Sequence, residues 1–140
     1  APYADLPTIL DSAAHEGPAS GLLAASRSFP GVAWLLVAVD MPLLRPVTLA
    51  ALMRERDVSS WATAYCHPDG VVEPLCAIWE PPALAAVAAG AANGGPRGVS
   101  LRRLLERGPA KLLNIDDDLP LRSVNTAADD AFVRRVMGAC

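Results

Sequence analysis

Eight consecutive apolar residues, Val32 to Val39, lead directly into Asp40 in the stretch "VAWLLVAVDMP". A strand that is hydrophobic at every position is typical of a parallel sheet covered on both faces, so we predict a central parallel strand over Ala33 to Val39. Pro42 then ends the strand, because proline has no N–H to donate to the ladder. Ligands bind beyond the carboxyl ends of strands in such sheets. Asp40 is therefore the first candidate for a binding-site residue.

The carboxylate of Asp40 has two interpretations. Mg²⁺ takes oxygen ligands and typically binds one or two carboxylates together with substrate phosphates, which suits an acid at this edge. Aspartate also frequently ends strands and begins turns, in which case Asp40 would only cap the turn or the following helix. The apolar strand alone leaves these alternatives about equally open.

Strand-like and helical segments alternate along the rest of the chain. Strand patterns lie at residues 61–66, 75–80 and 110–115, and a His-Pro-Asp-Gly turn joins the first two. Helical patterns lie at residues 20–29, 46–57, 81–92, 100–108 and 125–137, with Pro46 in a first turn and Ser100 placed as an N-cap. This alternation predicts an α/β layered sheet, and 140 residues suit a single domain over residues 1–140.

Charge and composition argue against several classes of function. The net charge of −3 gives no basic field that would attract nucleic acid or anionic lipid. The longest apolar run falls short of the roughly 18 residues that a membrane span needs, and no signal-peptide pattern opens the chain. The three cysteines have spacings that fit no zinc motif. We therefore expect a reduced, cytoplasmic protein that binds neither nucleic acid nor a membrane.

A second candidate segment precedes the first helix, in "DSAAHEGPASGLLAA". Gly17, Pro18 and Gly21 stand where that helix begins. Glycine lets a nucleotide approach the backbone closely, and the free N–H groups of a helix start favour phosphate or carbonyl oxygens. Taken alone this pattern is weak evidence for a binding site, because Gly-Pro commonly precedes a helix for structural reasons.

Four segments resemble the molybdenum cofactor guanylyltransferase (MobA-like) family of nucleotidyltransferases. "LPTILD" leading into "GPASGLLAA" is similar to the family's strand, aspartate and GPLAG helix, and "WLLVAVDMP" is similar to its strand ending in a metal-binding DxP. "VVEPLCAIWEP" resembles its PL-containing strand beside the substrate pocket, and "LRSVNTAADDAF" resembles its closing N-x-N-T-P-E-D-L segment. Each motif is short, but four of them in the family's order are much more specific.

The resemblance implies a Rossmann-like three-layer α/β/α nucleotidyltransferase fold with a mostly parallel sheet. It also implies an enzyme that transfers GMP from GTP to molybdopterin with Mg²⁺, releasing pyrophosphate. The terminal phosphate of the pterin would attack the α-phosphorus of GTP in line. Such chemistry depends on positioning and charge neutralisation. That agrees with a sequence that offers no Ser-His-Asp or Cys-His set for covalent catalysis.

The resemblance assigns roles to individual residues. Asp40 would ligate Mg²⁺ and organise the triphosphate, and would be the catalytic residue. The other implied roles are nucleotide binding by Asp11, Gly17, Pro18 and Gly21, a border to the pterin side from Glu73, Pro74 and Leu75, and contact with the phosphates of both substrates by Asn125 and Thr126.

Two departures from the family pattern affect these expectations. The family's opening strand and its L-A-G-G-x-S-x-R-M-G-x-D-K phosphate loop have no counterpart here. We therefore expect this chain alone to bind GTP weakly and to self-associate, or to need a partner segment at its exposed strand edges. In the closing motif, Ser123 and Ala127 replace the first asparagine and the proline.

Several functions stay open beside guanylyl transfer. One is the same chemistry with CTP, or with another acceptor such as a cobinamide phosphate. Another is a noncatalytic module that binds the cofactor and hands it to a molybdoenzyme or an insertion partner.

Other polar and aromatic residues carry weaker signals. His15 and His67 lie in turn-like stretches, so we expect solvated loop histidines, and we expect the three aspartates at 116–118 to form a solvated turn. We expect three arginines to lie on the exposed face of a helix: Arg102, Arg103 and Arg107. We expect the three tryptophans to pack within the sheet or at its edge: Trp34, Trp61 and Trp79.

Overall fold

Helices and strands alternate in the computed structural model, which describes residues 6–10, 17–93 and 99–138. The helices are α1 (Pro18–Ser28), α2 (Pro46–Arg54), α3 (Pro81–Ala92), α4 (Leu101–Arg107) and α5 (Ala127–Gly138), with a short 3-10 helix at Leu119–Leu121. The strands are β1 (Trp34–Val37), β2 (Ala62–Cys66), β3 (Val72–Trp79) and β4 (Ala110–Asn114). Ser100 caps α4 as predicted, since its hydroxyl accepts a hydrogen bond from the N–H of Arg103.

The four strands form one sheet in the order β1-β3-β2-β4. β2 and β3 are joined by the predicted turn, where Gly70 has a φ of +84° that favours glycine, and they pair antiparallel. β1 also pairs antiparallel with β3, whereas β2 and β4 are parallel. β1, β2 and β4 therefore run in one direction, and their carboxyl ends share one edge of the sheet.

The α/β class is confirmed, but the predicted mostly parallel sheet is wrong for the described strands. Two of the three neighbouring pairs are antiparallel, because β3 returns through a tight hairpin and lies between β1 and β2. The predicted central parallel strand over Ala33 to Val39 is also wrong. It is a four-residue strand, antiparallel to its one described neighbour and at the edge of the described sheet. An apolar run predicts burial but not strand direction, and here even the burial is incomplete, because Leu35 and Val39 are exposed.

Pro74 interrupts the pairing of the central hairpin. Ala64 lies opposite Ala77, but the next residue, Tyr65, lies opposite Glu73, so the register shifts across the segment that contains the proline. Proline cannot donate to the ladder, which explains a break at this point. Beside it, the carbonyl of Leu75 accepts a hydrogen bond from the N–H of Ala38 at 2.9 Å. This bond holds the chain just after β1 against the beginning of β3.

The sheet has a hydrophobic core on each face, which confirms the three-layer arrangement. Alternate residues of β3 face opposite ways, with Ala77 and Trp79 in one core and Cys76 and Ile78 in the other. α1, α3 and α4 contribute to the first core, and α2 contributes Leu52 to the second. Among the described helices, none is both long enough and apolar enough to cross a membrane.

Candidate functional site

Asp40 lies in the turn immediately after β1, at the edge where three strands end. Its side-chain Oδ1 is buried and has no hydrogen-bond partner among the described residues. Buried polar atoms in native proteins nearly always have a partner, so an unpaired carboxylate oxygen requires an explanation. Its position at the carboxyl end of a strand makes ligand binding the most direct one.

The predicted closing segment meets Asp40 directly. The N–H of Val124 donates a hydrogen bond to the carbonyl oxygen of Asp40 at 2.9 Å. Asn125 and Thr126 follow immediately and are exposed, at the start of α5. The structure therefore brings together the two ends of the candidate site that the sequence had placed far apart.

Asp129 holds the exposed Asn125 and Thr126 in place. Its Oδ2 accepts hydrogen bonds from the Thr126 hydroxyl at 2.8 Å and from the N–H groups of Thr126 and Asn125 at 3.0 and 3.3 Å. The Thr126 hydroxyl oxygen in turn accepts a hydrogen bond from the N–H of Asp129 at 3.2 Å, which completes a capping box. These bonds, that from the Thr126 side chain first, lower the pKa of the Asp129 carboxyl below its usual range. Asp129 was not among the predicted site residues, although the T-x-x-D spacing signals such a box.

Arg122 ties the same segment to α5 from the other side. Its guanidinium carbon lies 4.2 Å from the centre of the Phe132 ring, and its Nη2 is 3.5 Å from Asp129 Oδ1. Asp129 and Phe132 are neighbours on one face of α5, so the cation–π contact and the ion pair both hold Arg122 to the beginning of that helix. The loop beside Asp40 is therefore fixed at both Asp129 and Phe132.

The candidate pterin-side residues lie on the same edge, next to β1 and β2. The carbonyl oxygen of Leu75 accepts the hydrogen bond from the N–H of Ala38, and Pro74 is buried. Glu73 accepts a hydrogen bond from the N–H of Leu75 at 2.8 Å, and its other oxygen is 3.3 Å from His67 Nε2. Glu73 thus braces the beginning of β3 and contacts the residue that follows β2.

His67 is not the solvated loop histidine that the sequence suggested. Only 16% of its side chain is exposed, because it lies between Glu73 and Asp118, whose Oδ2 is 3.1 Å from His67 Nδ1. The aspartate turn at 116–118 therefore contains a residue with a specific partner. The sequence did offer a signal, since a hairpin turn at Pro68–Gly70 brings His67 and Glu73 to adjacent strands.

The structure describes only some of the residues that were predicted to bind the nucleotide. Asp11 and His15 lie outside the described residues. Gly17 precedes α1 with a φ of +88°, a conformation that favours glycine, and its carbonyl accepts the first bond of the helix from Ser20. Pro18 starts the helix and, like Gly21, is exposed. A Cβ added at Gly21 would meet no atom of a described residue within 4 Å, so packing against those residues does not require glycine there.

The direction of α1 favours a shared edge for Gly17 and Asp40. The Phe29 ring, at the end of α1, lies 5.8 Å from the Trp34 ring, at the beginning of β1. If the helix runs back along β1 from this contact, its first turn points toward the edge where Asp40 lies. The joint site of Gly17 and Asp40 stays a prediction.

Asp40 is the candidate metal ligand among the described residues of this site. They include no group of three or more His, Cys, Asp or Glu side chains placed to hold a metal. Mg²⁺ retains several waters and commonly binds through one or two carboxylates plus substrate phosphates. The unpaired Oδ1 of Asp40 fits that mode of binding, whereas a metal site built entirely from protein ligands would need more of them.

A cleft of about 360 Å³ opens beside Asp40, between the turn after β1 and α5. Val124, Val133 and Met137 form apolar walls, and Arg134 and Asp130 contribute a salt bridge at 2.7 Å. The site therefore combines one unpaired acid with an open, largely apolar space.

Three comparisons relate the chain to known proteins. A family model of the MobA-like NTP transferase domain matches residues 1–112. Over 84 residues the chain is 37% identical to the molybdenum cofactor biosynthesis bifunctional protein of Synechocystis sp., an overlap of 59% of this chain and 24% of that protein. The crystal structure of molybdopterin-guanine dinucleotide biosynthesis protein A from Archaeoglobus fulgidus matches with a TM-score of 0.74 at 20% identity, covering 90% of this chain and 65% of that one.

These matches differ in what they establish. The archaeal structure shows a shared fold, and the chain spans less than two thirds of the length of either relative. The matched range of the family model includes Gly17, Asp40 and Glu73, while Asn125 and Thr126 lie beyond it. Because that model covers well over half of the 140 residues, the chain belongs to the family of MobA-like NTP transferase domains.

Proposed function

We propose that this chain forms the nucleotide- and acceptor-binding part of an enzyme that transfers GMP from GTP to molybdopterin, with release of pyrophosphate. The family is one of nucleotidyltransferases, and both named relatives act in the biosynthesis of molybdenum cofactors. GTP as donor and molybdopterin as acceptor are the finer part of the proposal. The name of the archaeal relative, which includes a guanine dinucleotide, supports them.

The buried and unpaired Oδ1 of Asp40 is the observation that carries this proposal. Asp40 would hold Mg²⁺ against the phosphates of the nucleotide. When bound, Mg²⁺ would neutralise charge on the phosphoryl oxygens. Since Asp40 Oδ1 receives no hydrogen bond from a described residue, its geometry suits a ligand better than a structural cap.

The remaining residues position the two substrates. The glycines at the start of α1 would let the nucleotide lie against the backbone, with Asp11 and Pro18 beside it. Glu73, Pro74 and Leu75 would border the acceptor. A terminal phosphate oxygen of the acceptor would then attack the α-phosphorus in line, forming the new P–O bond as the bond to pyrophosphate breaks.

Asn125 and Thr126 would lie where the phosphates of the two substrates meet. Both are exposed and are held beside Asp40 by the Val124 hydrogen bond. The side-chain amide of Asn125 could donate to a phosphate oxygen, and the Thr126 hydroxyl already serves the capping box. Asn125 is therefore the better candidate for direct contact.

The substitution Asp40→Asn tests the proposal in the full-length protein. We expect it to abolish Mg²⁺-dependent pyrophosphate release from GTP in the presence of molybdopterin while leaving the thermal unfolding midpoint nearly unchanged. Asp130→Asn is the matched control, because Asp130 lines the same cleft but already has Arg134 as a partner. Repeating the assay with CTP compares the two candidate donors directly.

Each result has a definite meaning. Wild-type rates in Asp40→Asn would remove the metal role, and faster turnover with CTP than with GTP would replace the proposed donor. Binding of molybdopterin without pyrophosphate release from either nucleotide would favour the noncatalytic module that delivers cofactor to a partner enzyme.

A further inference from the structure

A second cavity lies on the same edge of the sheet, away from the Asp40 cleft. Its volume is about 450 Å³, and it opens where the parallel strands β2 and β4 end. Cys66 and His67 line it from the end of β2, Gly70 from the hairpin turn, and Asn114 and Asp116 from the end of β4. We call this space the β2–β4 cavity. Its size lies within the range of small-molecule sites, and carboxyl ends of parallel strands are where such sites form.

The β2–β4 cavity and Asp40 are separated by the width of the sheet. β1 and β4 are three strand spacings apart, which is about 14 Å. The chain that leaves β4 passes the cavity at Asp116 and reaches Asp40 at Val124. A single substrate that has a ring at one end and a phosphate at the other could therefore reach from the cavity to the Asp40 site.

Two polar side chains of the β2–β4 cavity remain available to a ligand. Neither Asn114 nor Asp116 has a side-chain hydrogen bond or an ion pair within the described ranges, and both are exposed. His67, in contrast, is held by Glu73 and Asp118 and forms a fixed wall. A free carboxylate can accept two parallel hydrogen bonds from adjacent N–H groups, and an amide can both donate and accept.

We propose that the β2–β4 cavity holds the ring of the acceptor, and that Asp116 and Asn114 recognise its 2-amino-4-oxopyrimidine edge. The ring N–H and the 2-amino group of a pterin form the adjacent donor pair that the Asp116 carboxylate can accept. The 4-oxo group accepts from the Asn114 amide. This inference rests on the proposed function, because the acceptor's phosphate must reach Asp40 while its ring lies in the cavity.

Guanine presents the same edge, so the test must separate the two rings. The probes are pterin and lumazine, which differ in that lumazine has an oxygen in place of the 2-amino group. Binding of each to the full-length protein is measured by titration, with GTP titrated in parallel. We expect wild-type protein to bind pterin about tenfold more tightly than lumazine, because the carboxylate loses a donor in lumazine.

Asp116→Asn should bind pterin and lumazine about equally tightly, since an amide can donate a hydrogen bond to the 2-oxo group of lumazine. Its GTP affinity should stay as in wild type. The matched control is Asp117→Asn, an adjacent carboxylate whose Oδ1 accepts the N–H of Leu119 and which does not line the cavity. This control should keep the wild-type preference. Asn114→Ala should weaken pterin and lumazine alike, because both retain the 4-oxo group.

The outcomes separate this inference from the proposed function. An unchanged pterin preference in Asp116→Asn overturns the inference, as does an absence of pterin binding. Weaker GTP binding in Asp116→Asn with unchanged pterin binding assigns the cavity to guanine and also overturns it. Loss of the preference in Asp116→Asn supports the inference even where the wild-type protein transfers no nucleotide to molybdopterin, so the two can fail independently.

Discussion

The N–H of Val124 and the carbonyl oxygen of Asp40 form a 2.9 Å hydrogen bond that joins the end of the first strand to the approach to the last helix. The bond uses backbone atoms of both residues, so it leaves the Asp40 carboxylate available. It also fixes where Asn125 and Thr126 lie relative to that carboxylate. The spacing of the site therefore depends on how firmly the segment before α5 is held.

Asp129→Ala should loosen that segment. The substitution removes three hydrogen bonds to Asp129 Oδ2 and the ion pair of Arg122 with Oδ1, and loss of a helix cap costs about 0.5–2 kcal/mol of unfolding free energy. We expect the transfer rate to fall by more than this stability loss explains, because Asn125 would no longer be held beside Asp40. Asp129→Glu should recover part of the rate. Thermal unfolding and pyrophosphate release measured on the same samples check this, and a wild-type rate in Asp129→Ala would contradict the positioning role.

Gly21→Ala should separate stability from binding. Glycine inside a helix is less stable than alanine by about 0.5–1 kcal/mol, and the added methyl group would meet no atom within 4 Å in the part of the chain that the structure describes. We therefore expect a higher unfolding midpoint together with weaker GTP binding, because a nucleotide lying against the first turn of α1 would meet the new methyl group. Calorimetric titration with GTP and Mg²⁺ measures the second effect. A stabilised variant with unchanged GTP affinity would remove Gly21 from the nucleotide site.

The sequence predicts local structure here better than it predicts which strands are neighbours. Ser100 as a cap and Pro46 at a helix start are local signals, and both are confirmed. Hydrophobic runs mark the strands but give only their burial, so they cannot say that β3 lies between β1 and β2. The hairpin turn pairs β3 with β2, and the register shift across the segment that contains Pro74 depends on contacts formed only in the sheet.

The position of Asp40 in the fold was predictable from a local signal, while its role stays a prediction. Asp40 stands out because a carboxylate ends an apolar run, and the resemblance supplied its link to the closing segment. His67 was misjudged because its partners come from two other places in the chain, Glu73 on β3 and Asp118 after β4. Composition alone suggests a solvated turn for such residues, and only their tertiary arrangement shields the imidazole.

The ion pair between the exposed Arg56 and the buried Glu80 should be important for stability. Glu80 is 2% exposed, and its two oxygens accept hydrogen bonds from Arg56 Nε and Nη2 at 2.6 and 2.9 Å. Arg56→Ala leaves a buried carboxylate without a partner, which typically costs about 3–5 kcal/mol, with the lower end expected because Arg56 is partly exposed. The double variant Arg56→Met/Glu80→Gln should recover much of the loss. Urea unfolding measures both, and a loss below about 1 kcal/mol in Arg56→Ala would contradict the prediction.

The outer edge of β1 should promote self-association. Within residues 6–10, 17–93 and 99–138, no strand pairs with that edge, and Leu35 on β1 is 39% exposed. Unpaired edges pair with other chains, and a lysine on an edge strand opposes this. We expect sedimentation velocity to show concentration-dependent association of the 140-residue chain, reduced in Leu35→Lys and unchanged in Val47→Lys, an exposed control on α2 that does not line the cavity beside Leu35. A monomer at all concentrations would contradict the expected association.

Asp57 should make the stability of the fold depend on pH in the acid range. Its Oδ1 accepts hydrogen bonds from the Ser59 hydroxyl and N–H at 2.6 and 2.9 Å, and its Oδ2 accepts one from the Ser60 hydroxyl at 2.9 Å. These bonds, those from Ser59 first, lower the pKa of the Asp57 carboxyl from 3.8 to about 2. Between these two pH values the unfolded chain binds the proton more readily than the folded protein does. The contribution of Asp57 is therefore complete above pH 3.8 and is lost as the pH falls through about 2.

Asp57→Asn removes this ionisation and should flatten the fall of the unfolding midpoint between about pH 4 and pH 2. Above that window the difference in midpoint between wild type and variant should be constant, because the carboxylate is then ionised in both states of the wild type. Asp116→Asn is the control, since the Asp116 side chain has no hydrogen bond within the described ranges and should leave the slope unchanged. Circular dichroism melts at closely spaced pH values measure the slopes. Equal slopes for wild type and Asp57→Asn would mean that the serine hydrogen bonds do not stabilise the ionised carboxylate in the folded protein.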